Sequence, residues 1–103
     1  MAADSFPATL GFRWVRGPFG VEVLISNDFV ELAPRGLLGR MFLETQRAGR
    51  SDVIAVEKDT RRRGGLRIRT TTGALDRFVV IPDTAGQRRA MHAAFEAHGY
   101  PLA

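Results

Sequence analysis

The stretch DRFVVIPDTAGQRRAMHAAFEAHG, residues 76–99, changes its apolar spacing at Pro82, and that change decides the fold. Before the proline the period is two. Phe78 and Val80 share one face of an extended strand, Val79 and Ile81 the other, and apolar residues on both faces predict a strand covered on both sides. After it the period is 3.6. Met91, Ala94, Phe95 and His98 stand at i, i+3, i+4 and i+7, one stripe of an amphipathic helix, with Arg88 extending the stripe at its wetter end. Thr84 with Gln87 makes a capping box, or Asp83 supplies the cap. Gly99 stops the helix and Pro101 lies just beyond.

Outward from this stretch the chain alternates with period two. In FGVEVLIS, 19–26, Val21, Val23 and Ile25 fall on one side; SND, 26–28, is turn chemistry; FVELA, 29–33, returns with Val30 and Leu32 opposite Glu31. LLGRMFLET, 37–45, reads as a third strand and QRAGRSD, 46–52, as a loop. DVIAVEKD, 52–59, is strand-like, DTRRRGG, 59–65, is a hairpin connection, and LRIRT, 66–70, puts Leu66 and Ile68 inward with Arg67 and Arg69 outward. TTGA turns again. Residues 1–18 read as an irregular lead-in, with FRWVR, 12–16, as a short extra strand that turns Phe12 and Trp14 coreward. Residues 19–103 then form a single α+β domain: a strongly bent antiparallel sheet, or partly open barrel, of six or so strands, capped by one C-terminal helix.

A chain of 103 residues is long enough to bury a core without staples, and 45% hydrophobic with 25% charged residues is ordinary for a globular protein. The absence of cysteine excludes disulfides, thiolate metal sites and cysteine nucleophiles. Met1 to Gly11 has neither the basic start nor the apolar run of a signal peptide, and no stretch approaches the ~20 apolar residues of a membrane span. The expectation is a cytoplasmic protein. The net charge of +4 and a pI near 11.0 permit an anionic partner, but eleven carboxylates are scattered among the fifteen cations.

Residues 51–98 resemble the second half of a bacterial PH-like domain, the pleckstrin-homology superfold. The resemblance rests on Ser51 and Asp52 before a strand with Ile54 and Val56, then Leu66 and Ile68, a turn with Gly73, an aromatic strand with Phe78, and a closing helix with Met91 and Phe95. It implies a non-catalytic binding or scaffold module for lipid headgroups, peptides or proteins. Basic residues of the membrane-binding members lie around the first hairpin loop. Here that loop, ISNDF, has none, so phosphoinositide binding is not carried across.

The candidate site is the arginine cluster. Arg61, Arg62 and Arg63 beside Gly64 and Gly65, with Arg67 and Arg69 on the following strand, present several guanidinium forks to an acidic lipid headgroup or nucleic acid. The competing reading is a solvated hairpin tip, partly neutralised by Glu57 and Asp59; it is preferred, because charged turns ordinarily serve solubility. No aromatic is interleaved to stack bases. His92 and His98 sit six apart on the helix, about 240° around, which makes a poor metal pair. Asp52, Asp76 and Asp83 read as separate turn or cap residues, the glycines match no nucleotide-binding motif, and a histidine beside a carboxylate in a deep polar pocket is not expected. The sequence therefore predicts no enzyme, no cofactor and no metal. It predicts a protein partner or homo-oligomer, met by strand addition at a sheet edge, with anion binding as the alternative.

Overall fold

The computed structural model describes residues 3–12, 16–36, 41, 44–58, 64–73, 75–76 and 78–103. Among them the chain forms strands β1 (Asp4–Phe12), β2 (Arg16–Ile25), β3 (Phe29–Pro34) and β4 (Gln46–Gly49), then a 3-10 turn (Arg50–Asp52). Strands β5 (Val53–Lys58), β6 (Leu66–Thr70) and β7 (Phe78–Pro82) and helix α1 (Ala85–Ala97) follow. The strands make one antiparallel sheet in the order β4-β3-β2-β1-β7-β6-β5.

That order forces curvature. β4 and β5 are the two edges, yet three residues join them. A flat seven-stranded sheet would hold its edges about 29 Å apart, at about 4.8 Å per strand, whereas the chain from Gly49 to Val53 spans at most about 14 Å. The sheet therefore curls into a half-barrel, and helix α1 covers its opening. Every ladder but one joins strands adjacent in the chain; the exception is β1 with β7, registered from Ala8↔Pro82 to Phe12↔Phe78.

The inward faces are those the alternation predicts: Val21, Val23 and Ile25 on β2, Val30 and Leu32 on β3, Leu66 and Ile68 on β6. On β7, Phe78, Val79 and Val80 are all buried, as expected for a strand covered on both faces. The helix lays Met91, Ala94 and Phe95 onto this core, chiefly against β1 and β7. Thr84, rather than Asp83, is the cap: its Oγ1 accepts the Gln87 amide at 3.0 Å. At the other end Gly99, at φ +79, takes the left-handed conformation that glycine adopts freely. The amides of Gly99 and Tyr100 donate to the carbonyls of Glu96 and Phe95, a Schellman motif. The Tyr100 ring meets Phe95 edge-on at 5.8 Å and completes the hydrophobic contact of that motif.

Three expectations change. Residues 4–12 are not irregular lead-in but a strand at the middle of the sheet, with Ala8 and Leu10 in the core. Residues 46–49 are strand rather than loop, because Ala48 fills the core opposite Val30. The strand expected from Asp76 begins at Phe78, since Asp76 accepts the Thr70 amide and hydroxyl and so closes the preceding turn. A further finding lies on β5, where a register shift between Val53 and Ala55 turns Val53 and Val56 inward and leaves Ile54 45% exposed. The strand expected over 37–45 falls largely outside the described residues, as does Trp14.

Candidate functional site

Arg61, Arg62 and Arg63 lie outside the described residues. Of the same cluster, Arg69 is exposed on β6 opposite Ala55, and Arg67 is half-buried opposite Glu57. The two arginines face outward, as the alternation requires, while Leu66 and Ile68 face the core.

The root of the hairpin opens onto a cavity. A groove of about 540 Å³ runs between helix α1 and the start of β6. The sheet side is Lys58, Gly64, Gly65 and Leu66; the helix side is Arg88, Arg89, His92, Ala93 and Glu96. Helical spacing explains the second wall: Arg88 and His92 form one row, Arg89, Ala93 and Glu96 the next. Gly64 sits at φ +82, and a Cβ there would stand 3.2 Å from Arg88 Nη1, so the glycine makes room for that guanidinium. A smaller cavity of about 190 Å³ adjoins, sharing Gly64 and Arg88 and reaching Asp83 and Thr84 at the helix start.

The described cations differ in their partners, and Arg69 is exposed with neither an ion pair among the described residues nor a place in the groove. Arg35 pairs with Glu22 at 3.4 Å, and Arg47 pairs with Glu31 at 2.8 Å while lying over the Phe29 ring. Arg50 donates to the carbonyls of Asn27, His98 and Gly99 and sits over Tyr100. Arg67 is not a free cation either. Among the described residues, no ion pair engages Lys58, Arg88 or Arg89, and all three line the groove.

The helix C-terminus is the opposite case. His98 meets Asn27 Oδ1 through Nδ1 at 2.5 Å and Asp4 Oδ2 through Nε2 at 2.9 Å. The Tyr100 hydroxyl donates to the Ser26 carbonyl at 2.6 Å, and burial pushes that phenol up despite the lowering effect of Arg50. His98 is half-buried at the C-cap of the helix. No group of three or more metal-capable residues occurs among the described residues.

Asp52 and Asp76 serve turns. Asp52 accepts the Thr71 hydroxyl and the amide and hydroxyl of Thr72; the Thr71 bond first, and then the Thr72 bonds, hold its carboxyl below the usual range against some desolvation. His92 and Glu96 both line the groove, whose walls also include Gly64, Leu66 and Ala93.

Lys58, Arg88 and Arg89 escaped the sequence reading as a site. Their signal was available only in part: Lys58 opens the arginine loop, and Arg88, Arg89 and His92 share one helical flank. Comparison with protein-family models, with curated proteins and with solved structures finds no match. No described helix is long and apolar enough to cross a membrane.

Proposed function

We propose that this chain is a non-catalytic PH-like interaction module that binds a protein partner, or a second copy of itself, by strand addition at its sheet edge. The observation that carries this reading is the behaviour of β5. The backbone of Val56, on that edge, already takes an added strand: its amide donates to the Pro101 carbonyl at 2.8 Å, and its carbonyl accepts the Ala103 amide at 3.0 Å. Leu102 thereby pairs with Val56 in parallel. The half-barrel with a helical lid agrees with the PH-like arrangement that the sequence resembles. The edge is competent for backbone recognition, and half-exposed Ile54 beside it supplies apolar area.

Sedimentation velocity over a wide concentration range, with site-specific crosslinking from position 54 in native cells, tests this. The expected result is a concentration-dependent dimer or a stoichiometric protein adduct, lost on Ile54→Pro. A monomer at all concentrations together with no adduct overturns it.

A second reading, an anionic-surface binder, is supported by the groove: Lys58, Arg88 and Arg89 gather at the root of the hairpin that carries Arg61, Arg62, Arg63, Arg67 and Arg69. It expects binding to acidic lipid vesicles or nucleic acid that weakens steeply with salt and is diminished by alanine at Arg61, Arg62 and Arg63.

A further inference from the structure

We infer that the groove between α1 and the β5–β6 hairpin root is a phosphomonoester-binding site, with Lys58, Arg88 and Arg89 holding the phosphoryl oxygens. This rests on the anionic-surface reading and moves its centre from the arginine tip to the root. Three positive side chains meet on one concave surface, with Glu96 the only carboxylate among its described lining residues. Like charges gathered in a cleft repel one another and raise the local potential for an anion. Elsewhere Arg35 and Arg47 have carboxylate partners and Arg50 has backbone carbonyls; among the described residues Lys58, Arg88 and Arg89 have no such partners.

The chemistry of the walls fits the same ligand. Guanidinium forks match phosphate oxygens bidentately, and an ammonium adds a point charge. Gly64 and Gly65 add no side chain to the sheet side, and the room this leaves beside Gly64 admits the Arg88 guanidinium to the groove. Leu66 and Ala93 supply apolar wall, which lowers the local dielectric and strengthens each charged hydrogen bond. The volume of about 540 Å³ suits a phosphorylated small molecule or lipid headgroup.

The test is ¹⁵N NMR titration of the whole chain with glycerol 3-phosphate at constant ionic strength, alongside co-sedimentation with phosphatidylcholine vesicles containing phosphatidic acid. The expected result is shift changes centred on Gly64, Gly65, Arg88 and Arg89. Lys58→Gln combined with Arg89→Gln should weaken binding by about tenfold or more, the scale of a lost charge-assisted contact. Arg35→Gln with Arg47→Gln removes the same charge elsewhere and should leave binding within about twofold. Binding to vesicles alone assigns the site to a lipid headgroup, and binding to both probes to the phosphate group itself. Thermal melting checks that each variant folds; if the double variant does not, the shift map of the unaltered chain decides. Binding that survives the groove variant but vanishes with alanine at Arg61, Arg62 and Arg63 overturns this site and leaves the anionic reading standing. Failure of the unaltered chain to bind the phosphomonoester, the vesicles or an oligonucleotide overturns both. Preference for a single-stranded oligonucleotide over glycerol 3-phosphate overturns the phosphomonoester class.

Discussion

The two ends of helix α1 use charge in opposite ways. At the C-terminal end, Arg50, His98 and Tyr100 are tied to Asn27, Asp4 and Ser26, so the polar groups fasten the lid to β1 and to the β2–β3 turn. Around the N-terminal half, Lys58, Arg88 and Arg89 fasten nothing and face a groove. Sequence composition counts these cations alike. The difference teaches that net charge says little about binding until the internally neutralised charges are set aside; of the described cations that remain, Lys58, Arg88 and Arg89 share one groove.

The comparison can be broken by substitution. The largest effect belongs beneath both ends: Phe95→Ala empties a fully buried site and should cost about 3–5 kcal/mol in urea unfolding. A near-neutral midpoint would mean that the lid does not depend on this anchor. Next is Gly99→Ala. The left-handed backbone alone costs about 1–2 kcal/mol, and the new Cβ would stand 2.7 Å from Arg50 Nη2, so the arginine clamp must also shift. Tyr100→Phe leaves the Ser26 carbonyl without its hydroxyl donor and should cost about 1–2 kcal/mol.

Tyr100 also sharpens the contrast through pH. Its phenol is raised in the folded state, so its contribution is intact below the ordinary value of about 10 and is lost as pH rises through the folded value. The alkaline fall in stability should be shallower in the Phe variant, measured by denaturation midpoints across that range. Asp52 gives the opposite sign. Its carboxyl is lowered, so its contribution is present above about 4 and fades as pH falls through the folded value. Asp52→Asn should flatten that acid limb. The smallest effect is expected at the groove: Lys58→Gln with Arg89→Gln should change stability by no more than about 0.5 kcal/mol, as for exposed side chains without partners. A marked loss there would show that these cations hold the fold after all.

The parts legible in the sequence were those with a local rule. The SND turn is built as its residues suggest, with Ser26 Oγ accepting the amides of Asp28 and Phe29. The helix begins at Thr84 and stops at Gly99 because a cap and a left-handed glycine act within one turn. β1 escaped because Pro7 interrupts a faint alternation of Phe6, Ala8 and Leu10. That proline is tolerated where the β7 ladder, which starts at Ala8, has not yet begun. β4 escaped because one small buried residue, Ala48, carries no period. Which β5 side chains face inward was not legible, because the register shift between Val53 and Ala55 leaves no mark in the spacing. The arginine tip drew attention because it is contiguous in sequence, while the groove joins Lys58 to Arg88 and Arg89 only through topology.

The pairing of β1 with β7 has a kinetic consequence. All other ladders form between chain neighbours and can zip up as two separate meanders, β1 to β4 and β5 to β7. The half-barrel becomes one body only when the first and last strands meet, the closure with the largest entropic cost and therefore the slow step of folding. Until then β1 and β7 both present bare backbone, so association during refolding should begin at what ends as the centre of the sheet.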